Sequence, residues 1–489
     1  MSKIIKEAFS VSVSSFFSRT LIFLKDVIVA SKLGTGPIND AFVASFKLIS
    51  IMKNFFSENT LNIIFTPYFS VLYHNECPKK AMSFANQAYT SLLILVSVFV
   101  VAVLIFMPQV IWYTISTFRE NETSYFFSIL FGRVFLLYLF LISIVAFYGG
   151  MMNSFGYFFP YATAPCILNI CVILSLLCFN FCITTAHTIC IATSLGAILE
   201  LLWILFFAKK SDCFPKLRIS LRKINIKKNF PTLLSSIVIQ LNNSINMILL
   251  SFFGGGISYL YYAERVIQLP FSLIGTSVST VILPSLSKAN HEEKNKIYNQ
   301  AMQYIFKFTT PFVCTILSMP QDIIFLLFER DDFGPLNTFH TANILRHFTY
   351  GLHALILVKV LQNVFFSFFN SSTPTIVVVI CIIINFFTAL LTISKLSFLA
   401  IAFSYTVSNC VNCTTLFILL NYNLGLKISS SVYIQILKFL ILSLLIAILL
   451  NLYNFIAPFQ NVYVLIISKI ILSILLHCLF YIKVRYVLQ

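Results

Sequence analysis

The sequence predicts an all-α polytopic membrane protein of about fourteen transmembrane helices, built as two parallel six-helix lobes plus two C-terminal helices. Three observations carry that prediction. Of the 489 residues, 59% are hydrophobic and 10% charged, whereas a soluble domain carries roughly 25% charge. The apolar residues form runs near 8–32, 40–72, 84–114, 125–150, 159–183, 187–208, 229–253, 258–287, 298–328, 338–369, 374–394, 397–421, 432–453 and 462–482, and about 20 helical residues suffice to cross hydrocarbon. Lys and Arg sort to one side of that layout. Eighteen lie in the two ends and the even-numbered loops, against three (Arg119, Arg330 and Lys395) on the other side, which places both termini in the cytoplasm.

Span one follows Lys3, Lys6 and Glu7, a start that a secretory leader shares. Arg19 interrupts its apolar run and no small-residue cleavage site follows, so it reads as a retained helix. Serines at 10, 12, 14, 15 and 18 suit close helix packing. Spans one to six form an N-terminal lobe, 1–208. The segment 209–228 then carries eight basic residues and the single acid Asp212. Two readings stand for it: a basic cytoplasmic linker that anchors topology, or an interfacial helix on an anionic leaflet. Spans seven to twelve form the second lobe, 229–425, and 426–489 holds the two extra helices.

The lobes resemble each other. "VASKLGTGPI", with Ser31, Gly34 and Gly36, precedes Pro67 as "LLSFFGGGI", with Ser251, Gly254 and Gly256, precedes Pro284. Six spans separate the copies, so both enter the membrane from one side, as parallel repeats around a central cavity do. Prolines 67, 165, 284, 311 and 374 read as static bends or as kinks that a moving helix uses.

An ionised side chain at a helix centre costs about 2.5–3.5 kcal/mol on insertion scales, so each needs a partner or a wet cavity. The first two spans hold Arg19, Lys25, Asp26, Asp40, Lys47, Lys53 and Glu58; the second lobe adds Glu264, Arg265, Arg346 and Lys359. Arg19 and Asp26, like Asp40 and Lys47, share a helix face at a rise of about 10 Å, which suits bridging to a neighbour or ligand rather than direct pairing. With Arg265 and Lys359 the cavity becomes a basic well for a phosphate or pyrophosphate, gripped bidentately by Arg and met by Lys as a point charge. The competing reading is inter-helix ion pairs that only fix packing. For Lys25 and Asp26, snorkelling also competes, and Lys438 and Lys469 read as snorkelling or paired.

Several function classes drop out. The net charge of +17 belongs to membrane topology, with no basic surface set up to read nucleic acid. The twelve cysteines lie mostly in apolar runs, and the CxxC of Cys410 and Cys413 has no second ligand pair. His340 and His347 share a face without an acidic partner, so no metal and no cofactor is expected. A phosphate-binding G-x-x-x-x-G-K-[ST] loop, an H-E-x-x-H helix and a G-x-S-x-G elbow are all missing, so the chain reads as a transporter and not an enzyme.

Four stretches, "FFSRTLIFLKDVIVASKLGTGPINDAFVASFKL", "GMMNSFGYFFPYATAPCILNI", "YLYYAERVIQLPFSLIGTSVSTVILPSLSK" and "LVKVLQNVFFSFFNSSTP", together resemble the MurJ (MviN) lipid II flippases of the multidrug/oligosaccharidyl-lipid/polysaccharide flippase superfamily. The resemblance covers nearly the whole chain. It implies a bacterial inner-membrane carrier, acting in peptidoglycan and cell-wall biogenesis, that turns an undecaprenyl-pyrophosphate-linked murein precursor outward by alternating access. Its partners would be that anionic lipid, the membrane and the cell-wall synthesis machinery. It points to Arg19, Lys25, Asp40, Lys53, Glu58 and Arg265 as substrate-binding residues, with Asp26, Glu264, Lys359, Asn370 and Thr373 as secondary cavity or gate residues. The family has Arg at the positions of Lys25 and Lys53, Asp at that of Glu264, and a charged D-x-[KR]-T-P where this chain reads Asn370-Ser371-Ser372-Thr373-Pro374. By the same analogy the two extra helices form a groove for the polyprenyl tail. The alternatives are a polysaccharide-lipid or multidrug exporter of the same superfamily, or a non-transporting membrane scaffold.

Overall fold

Hydrocarbon offers no water to backbone N–H and C=O groups, so a spanning segment has to close its hydrogen bonds within itself. The computed structural model obeys this: its described residues form helices and short connections, with no strand among them. Those residues are 3–54, 65–73, 78–115, 118, 121–178, 184–210, 214–217, 242, 245–279, 282, 286, 290–368, 370, 372–456 and 462–487. They fall into two compact units, Met1–Ser258 and Tyr259–Gln489. The expected linker 209–228 lies outside the described residues except for 214–217.

In the first unit the helices are α1 (Lys3–Leu33), α2 (Pro37–Lys53), α3 (Thr66–Val71), α4 (Pro78–Ile105), α5 (Met107–Thr114), α6 (Glu122–Ser154), α7 (Phe159–Cys178) and α8 (Thr185–Lys210). These account for spans one to six; of span seven, 245–251 is described and helical. Helix α9 (Gly256–Pro270) carries the chain from one unit into the next. The second unit continues with α10 (His291–Ser318), α11 (Pro320–Phe328), α12 (Pro335–Tyr350), α13 (Leu352–Ser367), α14 (Ser372–Leu396), α15 (Leu399–Leu424), α16 (Ser430–Ile456) and α17 (Val462–Val487).

Among the described residues, seven helices are individually long and apolar enough to cross a bilayer, or nine if each sharply bent pair counts as one span. Span seven lies mostly outside the described residues and the last apolar helix counts only as Val462–His477, while the other three missing spans have physical causes. Helices α2 and α9 have only 17 and 15 residues, and α1 carries Arg19, Lys25, Asp26 and Lys32.

The N-terminal unit is built around α6, which packs against α2, α4 and α8. Phe42 and Phe46 of α2 meet Phe135 of α6, with centroids 5.8 and 5.5 Å apart, and the Ser45 hydroxyl donates to the Ser128 carbonyl at 3.0 Å. Helices α7 and α8 approach closely because Gly196 faces the Leu168 backbone; a Cβ there would lie 3.0 Å from Leu168 Cα. The outward face of α4 presents Ile94, Leu95, Val98, Val101 and Ile105, the surface a hydrocarbon solvent requires. The internal repeat extends to side-chain detail: Ser31 donates to the Ile28 carbonyl and Ser251 to the Ile248 carbonyl, each three residues back.

In the second unit two spans expected as single helices are broken. Span nine bends by 86° between α10 and α11. Pro320 has no N–H and disfavours helical backbone at Met319, whose φ and ψ are −143° and 53°. That proline was missing from the kinks expected from sequence, whereas Pro165 and Pro311 sit inside continuous helices. Span ten bends by 46° at Gly351. There the Gly351 N–H turns to the Phe348 carbonyl, and the His347 carbonyl it would meet in a straight helix accepts the Thr406 hydroxyl at 2.7 Å instead. A Cβ on Gly351 would sit 3.2 Å from the Thr406 backbone.

The two extra helices are joined to the rest of this unit. Met319, at the 86° corner, packs with Ile446 and Leu450 of α16. The Lys469 ammonium on α17 meets the Asp322 carboxylate on α11 at 2.6 Å, with the two side chains 4% and 31% exposed. The Thr315 and Ser473 hydroxyls share a hydrogen bond at 2.6 Å. Lys469 is thus paired.

Two outcomes follow. Thr406→Val leaves the His347 carbonyl without its partner and should cost about 1–2 kcal/mol of stability, read as a lowered Tm in detergent. Lys469→Met should cost roughly 1–3 kcal/mol because Asp322 stays partly buried without its cation, while the Lys469→Met/Asp322→Leu double variant should recover most of that loss; equal single and double losses would show that the pair carries no coupling energy.

Candidate functional site

The first connection positions the charged helices. Pro37 starts α2 with its fixed φ, the Asn39 amide donates back to the Gly34 carbonyl, and the Ser124 hydroxyl of α6 holds the Pro37 carbonyl at 3.2 Å. This leaves Asp40 in the first turn of α2, 5% exposed. Its Oδ2 accepts the Gly255 N–H at 2.7 Å, and its Oδ1 accepts the Ser258 N–H at 3.1 Å and the Ser258 hydroxyl at 2.6 Å. The carboxylate therefore caps the residues that open α9, an anion on free amides. Both oxygens are occupied by the fold, a use the substrate-binding expectation for Asp40 did not include.

Lys25 and Asp26, adjacent on α1, form an ion pair at 3.3 Å. Asp26 is fully buried, and the Lys25 ammonium lies 5.7 Å from the Phe46 ring centroid on α2. Arg19 is exposed on α1, and Lys53 is half-buried in the last turn of α2. Glu58 lies outside the described residues.

In the second unit, Arg265 is fixed by its own helix. Its Nη1 donates to Gln268 Oε1 and its Nη2 to the Tyr261 hydroxyl, both at 2.9 Å, and the guanidinium lies 4.4 Å from the Tyr261 ring centroid. Residues four back and three on share its face of the helix, so one turn of α9 fixes the fork's plane. Glu264 is half-buried beside it, and Lys359 is exposed on α13. The Asn370 side chain accepts the Thr373 N–H at 3.1 Å, an N-cap for α14 that accounts for this pair without a gate charge.

One residue was overlooked in the sequence. Glu200 sits at the middle of α8 and is 1% exposed, in a stripe of Thr193, Ala197, Ile204 and Ala208 that is buried throughout. Its Oε2 has no hydrogen-bond partner among the described residues. The signal was available, because an acid inside "AILELLWILFF" faces the same insertion cost as Arg19. No group of His, Cys, Asp and Glu suited to a metal occurs among the described residues.

Comparison with known proteins places this architecture. The family model described as Lipid II flippase MurJ matches residues 29–473. The probable lipid II flippase MurJ of Rickettsia prowazekii (strain Madrid E) is 30% identical over 428 residues, covering 85% of this chain and 82% of that one. Its counterpart in Rhizobium meliloti (strain 1021) is 28% identical over 430 residues, covering 85% and 80%. In fold, the chain is similar to a lipid II flippase MurJ in an inward closed conformation, with a TM-score of 0.82 at 22% identity, covering 98% of this chain and 99% of that one. It is also similar to an inward-facing multidrug resistance MATE family transporter of the MOP superfamily, with a TM-score of 0.67 at 17% identity over 83% and 94%. With the family model matched from α1 to α17, the chain belongs to the lipid II flippase MurJ family.

Proposed function

We propose that this chain carries lipid II from the cytoplasmic to the outer leaflet of the bacterial inner membrane by alternating access, with both termini in the cytoplasm and the flipped precursor passed to the cell-wall synthesis machinery. The observation that carries the reading is the family match across residues 29–473. The chemistry supports it. An undecaprenyl-pyrophosphate head is a compact multivalent anion, and Arg19, Lys53 and Arg265 are the cations we assign to it. Arg265 is the best prepared, because Tyr261 and Gln268 hold its fork before any ligand arrives, which reduces the ordering cost of binding. Lys25 is a weaker candidate, since Asp26 already neutralises it.

A multidrug exporter sharing this fold would need acids facing its cationic cargo. Here Asp40 and Asp26 are occupied by a helix cap and an ion pair, which favours the anionic substrate. A scaffold without transport would tolerate loss of the cations.

The test is complementation in cells depleted of their own lipid II flippase, reading the arrival of labelled precursor at the outer face. The wild-type chain should restore it. Arg265→Ala should lower the transport rate roughly tenfold or more, the worth of a charge-assisted hydrogen-bond pair, and Arg265→Lys should recover only part of it. Unchanged transport with the Arg19→Ala/Arg265→Ala double variant, at equal membrane abundance, would contradict the assignment of these cations.

A further inference from the structure

Resting on the transport reading above, we infer that the first turns of α10 form a clasp: the Asn295 and Asn299 side chains hold the connection 425–429 as a neighbouring strand would, so that α16 and α17 travel with the second unit through the transport cycle instead of swinging on their tether. The connection follows a helix end at which Gly425 is left-handed, with a φ of 64°, a conformation open to glycine. His291 donates from Nε2 to the Leu424 carbonyl at 2.8 Å, one of the carbonyls that a helix end leaves free. From there to Ser429 the chain is non-helical, with Leu426 buried and Lys427 and Ser429 exposed, the alternation of an edge strand.

Asn295 Oδ1 accepts the Lys427 N–H at 3.0 Å. Asn299 Nδ2 donates to the Lys427 carbonyl at 2.9 Å, and Asn299 Oδ1 accepts the Ser429 N–H at 2.8 Å. The spacing fits: four residues of helix rise about 6 Å and two residues of strand about 6.6 Å, so rungs one helical turn apart meet backbone groups two residues apart. The Asn299 amide acts as the peptide group of a partner strand, offering a donor and an acceptor together. Its Nδ2 also donates to the Asn295 carbonyl at 2.8 Å, which fixes the orientation of the amide. The last rung sits on Ser429, whose carbonyl accepts the Tyr433 N–H as α16 opens. Lys294 ties the end of α13 to the same turns, donating to the Ser367 carbonyl at 3.3 Å and lying 3.9 Å from the Phe368 ring centroid.

A swing needs a pivot. Near the far end of α10, Thr315 shares a hydrogen bond with Ser473 of α17, and Asp322 beyond the corner holds Lys469. Asn299 and Thr315 are sixteen residues apart on one helix, about 24 Å along its axis. Helices fastened to the same rod at two levels that far apart cannot turn about either one without breaking the other. Asn295 and Asn299 are therefore positioning residues, acting through the placement of α16 and not on the lipid itself.

The experiment has two arms. Hydrogen–deuterium exchange on the full-length protein in micelles should find the Lys427 and Ser429 amides protected, and Asn295→Ala/Asn299→Ala should speed their exchange roughly tenfold or more, the worth of the hydrogen bonds removed. Transport is then followed, in cells depleted of their own lipid II flippase, with Asn299→Cys/Lys427→Cys before and after bridging by a short, membrane-permeant bis-maleimide, each single-cysteine variant being treated alike. The unbridged variant should carry the lipid several-fold more slowly than wild type, and the bridged one at close to the wild-type rate. Protection absent from wild type, or unchanged in the alanine variant, overturns the clasp. A bridge that slows transport shows a connection that has to open, and equal rates with and without the bridge show one that couples nothing; either overturns the proposal. A wild-type chain that flips no lipid overturns the transport reading and the coupling with it, while exchange still judges the clasp. The wild-type exchange pattern decides the clasp even where a variant fails to fold.

Discussion

Every polar group inside hydrocarbon has to be satisfied from within the chain, and this constraint shapes the molecule more than any single apolar contact. Helix formation settles it for most backbone groups. Several others are settled locally: Asp40 on the amides of Gly255 and Ser258, Asp322 on Lys469, Asp26 on Lys25, and the Thr406 hydroxyl on the carbonyl that the Gly351 break releases. Apolar packing between helices gains little where lipid is an equally good solvent, so such contacts specify which helices meet. The Gly196 contact with Leu168 adds close approach to that list.

The breaks follow from the same constraint. A helix can end inside the membrane only where something else takes its free groups. At Met319 the chain turns by 86°, and Ile446 and Leu450 of α16 cover the corner. Lys469 of α17 then reaches Asp322 in the first turn of the helix that begins there. An acid at a helix start is also favoured by the helix dipole, so the ion pair and the corner support each other. The two C-terminal helices are in this way part of the second unit's framework, whatever further use their outward apolar faces have.

The sequence layout was legible because hydropathy and loop charge report directly on solvent, and helices occupy thirteen of the fourteen expected spans over described residues, with part of the other. The breaks were less legible. Pro165 and Pro311 are tolerated inside helices, while Pro320 ends one at Met319, which packs against Ile446 and Leu450. Of the site residues, periodicity selected Arg19, Lys53 and Arg265 but could not foresee that Lys25 would pair with its own neighbour or that Asp40 would cap residues more than two hundred positions away. Glu200 gives a fainter signal than the cations, a lone acid in an otherwise uniform apolar run.

The two kinds of cation are set up differently, and the difference bears on how a charged head can be both held and released. Arg265 is rigid: Tyr261 and Gln268 satisfy two of its nitrogens and align its plane, so it offers a fixed fork with little reorganisation. Lys53 is a point charge on a flexible stem, half-buried in the last turn of α2. A carrier built only of rigid forks would bind its anion tightly and release it slowly, since binding that is uniform along the cycle does not speed turnover. A compact ammonium can move between acceptors, whereas a planar guanidinium commits to one geometry, so the two kinds of cation suit release and orientation respectively.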